Sequence, residues 1–233
     1  MLFVASPLLI AHRGASAEAP ENTLAAFRRA LALKVDGLEL DVQTTRDGVA
    51  VVFHDATLRR LTGEPGRVVA QTWRALQKLR VNRTEPIPRL VDVLRLTRSR
   101  TVVQIELKRG VVVAPVIRAI RTARAAKWVI LASFEPRLVR EAARLAPTIP
   151  RMLIAEGGGT AGQLLRRMVA AGAAGLSLNY RTVRNRGFVK TIQAGGASLW
   201  CWTVNRPADM RRLAGWGVNG LLSDNPALLK RGV

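Results

Sequence analysis

Residues 38–55 read LELDVQTTRDGVAVVFHD, two apolar runs joined by a short polar turn. Glu39 and Asp41 alternate with apolar residues in the first run, and alternate side chains of a β-strand share one face. At a separation of roughly 7 Å and an effective dielectric constant of about 20, two ionised carboxylates repel each other by about 2 kcal/mol. Removing either carboxylate should therefore not destabilise the metal-free fold. A bound divalent cation would turn the repulsion into attraction, so the pair predicts a cation site.

The two runs are separated by only a few residues around Asp47 and Gly48. Parallel neighbours need a crossover of a dozen or more residues, which this turn cannot supply. The runs must therefore pair as an antiparallel hairpin. The returning run, VAVVFH, ends on His54 and is an arm attached to a larger sheet.

Other chemically active residues also fall at the ends of apolar runs. His12, the second of two histidines, ends LLIAH, while Glu106 and Lys108 share one face of VVQIELK. A single Glu-x-Asp pair or strand-end histidine more often has a structural role, so the prediction depends on their coincidence. Because α/β folds build their sites at the carboxyl ends of strands, these side chains are expected to meet in one site.

The rest of the chain alternates strand-like and helix-like segments, apart from an irregular stretch at residues 56–88 with a short helix near residues 72–79. Eight runs qualify as parallel strands: LLIAH, GLELDV, VVQIEL, WVILASF, RMLIA, GLSLN, SLWCWTV and VNGLLSD. Eight strands alternating with helices over about 250 residues describe a (β/α)8 TIM barrel, here with a hairpin arm after the second strand. We expect one domain over residues 1–233, with residues 56–88 lining one side of the barrel mouth.

The formal net charge is +21, from 37 Lys and Arg against 16 Asp and Glu. The arginines recur singly or in pairs through the helical segments, as on solvated helix faces, for example at residues 28–29, 166–167 and 211–212. This spread predicts no specific nucleic-acid partner. A positive field still attracts phosphate-bearing substrates and, weakly, anionic membrane surfaces.

Cysteine use and hydropathy bear on the compartment. Cys201 is the single cysteine and lies in an apolar run, so we expect a buried, unreactive thiol and a reducing, cytoplasmic location. The apolar start, residues 1–14, has no basic residue before its apolar run and leads directly to His12, which favours a first strand over a signal peptide. No later apolar run approaches the roughly 18 residues that span a bilayer.

Several longer motifs resemble the glycerophosphodiester phosphodiesterase family, a group of (β/α)8 barrels. They are AHRGASAEAPENTLAAF, GLELDVQTTRDGVAVVFHDATLRRLTG, QIELK, WTVN and SDNP, and they extend over nearly the whole chain. The resemblance implies a phosphoric diester hydrolase that converts glycerophosphodiesters to glycerol 3-phosphate and an alcohol.

The resemblance also implies roles by position. His12 and His54 match the acid/base histidines of the family. Three carboxylates match its metal ligands, and three further residues match groups that contact the substrate. The metal ligands are Glu39, Asp41 and Glu106. Arg13 and Lys108 match basic residues near the substrate phosphate, and Trp202 matches an aromatic residue at the barrel mouth.

The residue types agree with that chemistry. Oxygen ligands without cysteine or a histidine cluster favour Mg²⁺ or Ca²⁺ over zinc. In the family the glycerol 2-hydroxyl is thought to attack phosphorus, and water then opens the cyclic phosphate. One histidine would take the hydroxyl proton and the other would protonate the leaving alcohol. We expect His54 to be the acid and His12 the base.

Two alternatives stay open from sequence. A lipid phosphodiesterase of the same barrel group, of the lysophospholipase D type, is favoured by the positive charge but not by an aromatic content of only 5%. A basic nucleic-acid-binding protein would need a contiguous arginine patch or a recognition motif, and neither is evident. The preferred alcohol and the oligomeric state are not readable from the sequence.

Overall fold

The computed structural model describes residues 6–98 and 100–232. In chain order the strands are β1 (Leu8–Ala11), β2 (Gly37–Thr44), β3 (Ala50–Val52), β4 (Arg80–Val81), β5 (Glu85–Pro86), β6 (Val102–Leu107), β7 (Val129–Ser133), β8 (Arg151–Ala155), β9 (Gly175–Asn179), β10 (Ser198–Trp202) and β11 (Gly220–Ser223). The helices are α1 (Leu24–Ala32), α2 (Arg59–Thr62), α3 (Trp73–Leu76), α4 (Leu90–Thr97), α5 (Val113–Thr122), α6 (Pro136–Leu145), α7 (Ala161–Ala170), α8 (Arg186–Ala194), α9 (Pro207–Trp216) and α10 (Pro226–Gly232). Short 3₁₀ turns occupy Val68–Ala70 and Tyr180–Thr182.

Eight strands close into a parallel barrel, which confirms the predicted fold. The order is β1-β11-β10-β9-β8-β7-β6-β2, and β1 also pairs with β2 to complete the circle. The predicted hairpin is confirmed as well, since β3 runs antiparallel to β2 with Val42 opposite Val52. The first strand lies where the sequence predicts it, although residues 1–5 of the apolar start lie outside the described residues.

The register between β2 and β6 fixes the position of two predicted ligands. Asp41 pairs directly with Glu106, and Glu39 with Gln104. Paired residues of adjacent parallel strands point to the same face, and neighbouring strands lie about 4.8 Å apart. The barrel thus brings Glu39, Asp41 and Glu106 together at one end.

The barrel interior is filled by apolar side chains from several strands. Gly220 begins β11 where Trp200 of β10 fills the interior, and a Cβ on this glycine would lie 2.9 Å from the indole ring. Only glycine leaves room for so large a neighbour. The interior residues are Ile10, Ala132, Met152, Ile154, Trp200 and Leu222.

Residues 56–88 differ from the sequence expectation in one respect. The short helix is present as α3, capped by the Thr72 side chain, and β4 and β5 form a small antiparallel ribbon. This segment packs on its own apolar cluster, which includes Phe53 and Leu76. The cavity at the barrel mouth that is lined by His12, His54 and Glu106 is called the main cavity. None of the residues 56–88 lines it, so the expectation that they do is wrong. The apolar residues of this segment are used for its local core.

Two further sequence expectations concern burial and membranes. Cys201 is fully buried in β10, and burial raises the pKa of its thiol, as expected for an unreactive cysteine. Among the helices in the described part of the chain, none combines the length and apolarity required to cross a membrane.

Candidate active site

Glu39, Asp41 and Glu106 form an acidic cluster at the carboxyl ends of β2 and β6. Each offers one carboxylate oxygen, and these oxygens lie within 4.8 Å of one another. All three side chains are nearly or fully buried, with residue exposures of 3%, 1% and 9%. Buried like charges at this spacing are costly, so the cluster needs a cation or protons to balance it.

The three carboxylates differ in how they hold a proton. Burial, reinforced by the charge of Asp41, raises the pKa of Glu39 to about 7 and that of Glu106 to about 8. Burial acts on Asp41 too, but the charges of Lys108 and Arg13 outweigh it and lower its pKa to about 2. A set of hard oxygen donors with one fixed charge and two displaceable protons fits a divalent metal ion of the Mg²⁺ or Ca²⁺ type.

Two cationic side chains flank the acidic cluster. Lys108 Nζ lies 2.6 Å from Glu106 Oε1 and 3.4 Å from Asp41 Oδ1. Arg13 Nε lies 3.3 Å from Asp41 Oδ2, and this buried nitrogen makes no hydrogen bond within the described residues. Both residues line the main cavity, so the structure brings the predicted phosphate-binding cations to the predicted metal ligands.

The turn after β1 explains the His-Arg-Gly sequence. Arg13 has a φ of +57°, in the left-handed region, and its backbone N–H donates to Glu39 Oε2 at 3.0 Å. Gly14 follows at φ +81°, and a Cβ there would lie 2.8 Å from Ala26 of α1. Glycine is required because both the backbone angle and the close approach exclude a side chain.

The helix entry that follows this turn also supports the site. Thr23 caps α1 by accepting from the Ala26 N–H, which leaves Asn22 free for another role. Asn22 has a φ of +59°, and its side-chain amide donates to Asp41 Oδ2 at 2.8 Å. Asn22 was not predicted from sequence as a site residue, although it lies within the motif AHRGASAEAPENTLAAF.

Each predicted catalytic histidine is held by a carboxylate through Nδ1. His12 Nδ1 lies 2.7 Å from Asp224 Oδ1, and His54 Nδ1 lies 2.7 Å from Asp55 Oδ1. A carboxylate at Nδ1 fixes the ring orientation and leaves Nε2 for proton transfer. Both histidines line the main cavity. The two aspartates were missed as site residues, although each stands in a quoted motif, His-Asp or SDNP.

The two histidines differ in their affinity for a proton. Burial alone lowers the pKa of His12, but the Asp224 hydrogen bond and the charge of Glu39 outweigh it and raise the pKa above its ordinary value. For His54 burial prevails over the charge of Asp41, and the pKa lies below its ordinary value.

The main cavity has a volume of about 270 Å³. Of the eight predicted site residues, seven line it, and Asp41 lies just behind with 1% exposure. Trp202 forms one wall together with Phe134; their rings meet edge to face with centroids 5.7 Å apart. The indole N–H donates to the Ser177 carbonyl at 3.1 Å, which fixes the ring at the mouth.

Sites at the carboxyl ends of (β/α)8 barrel strands are those of enzymes, and this one combines three carboxylates, two histidines and two cations. The chain matches the model of the Glycerophosphoryl diester phosphodiesterase family over residues 12–228 and therefore belongs to that family of hydrolases. The resemblance inferred from the sequence motifs is confirmed.

Individual relatives agree with this assignment. The chain is 36% identical to a glycerophosphodiester phosphodiesterase of Caldanaerobacter subterraneus subsp. tengcongensis, with 95% of this chain and 96% of that protein covered. Among solved structures, an Oleispira antarctica phosphodiesterase in complex with the product sn-glycerol-3-phosphate superposes with a TM-score of 0.90 at 26% identity, covering 97% of this chain and 96% of that chain. A glycerophosphodiester phosphodiesterase from Agrobacterium tumefaciens gives a TM-score of 0.86 at 27% identity, with 97% and 99% covered.

We predict that the metal-free protein loses stability as pH rises from 5 to 8. Folded Glu39 and Glu106 keep protons up to pH values of about 7 and 8, whereas the unfolded chain releases them near 4.5. The folded state therefore binds more protons in this window, and the free energy of unfolding falls by a few kcal/mol with increasing pH. Adding Mg²⁺ or Ca²⁺ should raise Tm more at pH 8 than at pH 5.

The measurement is a thermal unfolding series at both pH values, with chelator and with each cation. His12 titrates in the same direction, so the variant Glu39→Gln isolates the contribution of the cluster. It should flatten both the pH dependence and the gain from cation. An equal cation effect on the parental protein and Glu39→Gln would show that the ion binds elsewhere.

Proposed function

We propose that this protein hydrolyses glycerophosphodiesters to glycerol 3-phosphate and an alcohol, with Mg²⁺ or Ca²⁺ held by Glu39, Asp41 and Glu106. The observation that carries the proposal is the acidic cluster, within 4.8 Å, facing the same small cavity as two carboxylate-anchored histidines. The product bound by the Oleispira antarctica relative supports the same substrate class.

Arg13 and Lys108 bind the phosphate in this proposal. A phosphodiester brings one negative charge into a cavity where both cations are largely buried, and charge-assisted hydrogen bonds are strong there. Glu39, Asp41 and Glu106 would hold the cation, which would supply Lewis-acid activation of the phosphoryl group. The two basic side chains offset the charge that remains on the transferring phosphoryl group.

The histidines move the protons. One Nε2 takes the proton of the glycerol 2-hydroxyl as its oxygen bonds to phosphorus, and the other Nε2 protonates the alcohol oxygen as its bond to phosphorus breaks. Water then opens the cyclic phosphate with the two roles exchanged. A general acid must be protonated and a general base neutral at the working pH.

The proton affinities support an assignment opposite to the one expected from sequence. His12, whose pKa is raised, is the acid, and His54, whose pKa is lowered, is the base. Both rings contact an aspartate, but the charge of Glu39 also raises the pKa of His12, whereas the charges of Lys108 and Arg13 lower that of His54. The Asp224 contact with His12 joins residues 212 positions apart and cannot be read from local sequence.

The size of the cavity favours a small, water-soluble substrate. A volume of about 270 Å³ lies just below the roughly 300–1,000 Å³ common for small-molecule sites and suits a diester with a small headgroup. A lysophospholipid stays the second candidate because apolar side chains are exposed on loops at this end of the barrel, at Val112 (55%) and Phe134 (40%).

Two parallel assays distinguish the candidates. Release of glycerol 3-phosphate is measured from glycerophosphocholine, glycerophosphoethanolamine and glycerophosphoglycerol, after chelation and with Mg²⁺ or Ca²⁺ restored. We expect cation-dependent release from the soluble diesters. The second assay measures the alcohol released from lysophospholipid vesicles, and we expect slower turnover than with the soluble diesters. Faster turnover of the lysophospholipid would make the lipid the preferred substrate. Metal-independent release at an unchanged rate would contradict the assigned cofactor.

A further inference from the structure

Arg60 lies outside the candidate site but binds two carboxylates that contact site residues. The side chain belongs to α2, is 47% exposed, and is absent from the residues that line the main cavity. Its guanidinium binds two carboxylates, each through two hydrogen bonds. To Asp55 it donates from Nε (2.6 Å) and Nη2 (2.8 Å), and to Glu21 from Nη1 (2.9 Å) and Nη2 (2.8 Å).

The Nη2 nitrogen is the centre of this arrangement. It donates to Asp55 Oδ1, the oxygen that also contacts His54 Nδ1 at 2.7 Å. It donates in addition to Glu21 Oε1, the oxygen that accepts from Arg13 Nη1 at 3.0 Å. One nitrogen therefore joins the carboxylate that orients a catalytic histidine to the carboxylate that orients a phosphate-binding arginine.

The two carboxylates come from different parts of the barrel. Glu21 lies in the loop between β1 and α1, and Asp55 follows β3 on the hairpin arm. The Arg60 side chain joins these two segments, and Arg60 and Glu21 are 39 residues apart in the sequence. Without that contact each carboxylate would have fewer constraints on its position.

We propose that Arg60 is a positioning residue that holds Asp55 and Glu21 in place and thereby aligns His54 with Arg13 on the substrate phosphate. This inference rests on the proposed phosphodiesterase function. It assigns to Arg60 no contact with substrate, so its effect must pass through the two carboxylates.

Charge supports the same role. The hydrogen bonds from Arg60 are the largest cause that lowers the pKa of Asp55, to about 2. Asp55 therefore stays an acceptor, the His54 ring donates from Nδ1, and Nε2 is left unprotonated for the glycerol hydroxyl. Burial raises the pKa of Glu21, but the hydrogen bonds and charges of Arg60 and Arg13 together outweigh it and lower the pKa, which keeps Glu21 charged opposite Arg13.

Lysine in place of Arg60 cannot make the same hydrogen bonds to both carboxylates. The guanidinium is planar and presents donors in a fixed fork that matches two carboxylates at once, whereas an ammonium is a single point charge. Retaining the charge without the fork should therefore not retain the function.

The test compares Arg60→Ala and Arg60→Lys with Arg59→Ala, a matched control at an exposed neighbour in the same helix. With glycerophosphocholine we expect kcat to fall on the order of 10- to 100-fold in both Arg60 variants, as for other residues that orient catalytic ligands. Arg59→Ala should keep parental kcat and KM. Free guanidinium, below denaturing concentrations, should restore Arg60→Ala saturably and leave Arg60→Lys and Arg59→Ala unchanged.

A double-mutant cycle tests whether Arg60 affects kcat through Asp55. If Arg60 acts through Asp55, the variant Asp55→Asn/Arg60→Ala should lose much less activity than the product of the two single losses. Tm is measured for each variant, and kcat is expressed per folded protein. A fully multiplicative cycle, parental kcat in Arg60→Ala, or a loss explained by unfolding and not restored by guanidinium would each overturn the inference.

The controls separate this inference from the proposed function. If the parental protein and Arg59→Ala release no glycerol 3-phosphate, the phosphodiesterase function is wrong and the role of Arg60 is refuted with it. If both are active and Arg60→Ala equals them, only the positioning role is refuted.

Discussion

Replacing Glu39 with glutamine is expected to lower kcat on the order of 10³-fold while leaving the metal-free fold at least as stable. Lewis-acid stabilisation of the transition state is worth several kcal/mol, which corresponds to a loss of this size. Glu39 is buried and its pKa is raised to about 7, so its charge opposes folding at neutral pH. Removing that charge relieves repulsion from Asp41.

Asp41 is expected to behave differently in stability. From sequence, removing either carboxylate should relieve the same repulsion. In the structure Asp41 accepts from Asn22 and lies within 3.4 Å of cationic nitrogens of Lys108 and Arg13. Asp41→Asn therefore breaks a buried ion pair and should cost on the order of 3 kcal/mol in addition to activity.

The measurements are kcat at saturating Mg²⁺ or Ca²⁺ and Tm in chelator, with the exposed Glu64→Gln as the control. The control should match the parental protein in both. A folded Glu39→Gln variant with near-parental turnover would remove Glu39 from the metal site. An Asp41→Asn variant as stable as the parental protein would contradict the role given to its ion pairs.

The second prediction distinguishes the roles of His12 and His54 as general acid and general base. His12→Ala and His54→Ala should each lower turnover of glycerophosphocholine by about 10²- to 10⁴-fold. The p-nitrophenyl diester of glycerol 3-phosphate has a leaving group that needs little protonation. It should therefore largely rescue the variant that lacks the acid, which we assign as His12, and not the variant that lacks the base.

Turnover of both substrates by both variants is the measurement. Rescue of His54→Ala alone would restore the assignment expected from sequence, with His54 as the acid. Equal losses on the two substrates for both variants would refute a divided acid/base pair. Because the test compares substrates within one variant, a partial loss of folded protein affects both values equally.

Local patterns were sufficient to predict the barrel and the acidic cluster. The alternation in LELDV fixes the shared face of Glu39 and Asp41, and the short turn at Asp47 requires an antiparallel arm. Glu106 also lies at the end of a predicted strand. Since all strands of a parallel barrel end at the same rim, Glu106 could be predicted to lie near Glu39 and Asp41. The proposed roles of these residues and the cytoplasmic location stay predictions.

The residues that orient the site could not be derived in the same way. Asp224, Glu21 and Arg60 act through contacts between segments far apart in the chain, and their positions follow from barrel closure and from loop conformation. The compact packing of residues 56–88 was missed because its apolar residues have no regular period and are buried around short turns.

The pairing of β1 with β11 has a consequence for the order in which the protein becomes functional during synthesis. His12 leaves the ribosome 212 residues ahead of Asp224, the carboxylate that contacts its ring. Glu39, His54, Asp41 and Glu106 all precede β7 in the chain, whereas His12 gains its partner only when β11 pairs with β1 and closes the circle. In the proposed mechanism, acid catalysis by His12 therefore requires β11 to be synthesised and paired with β1.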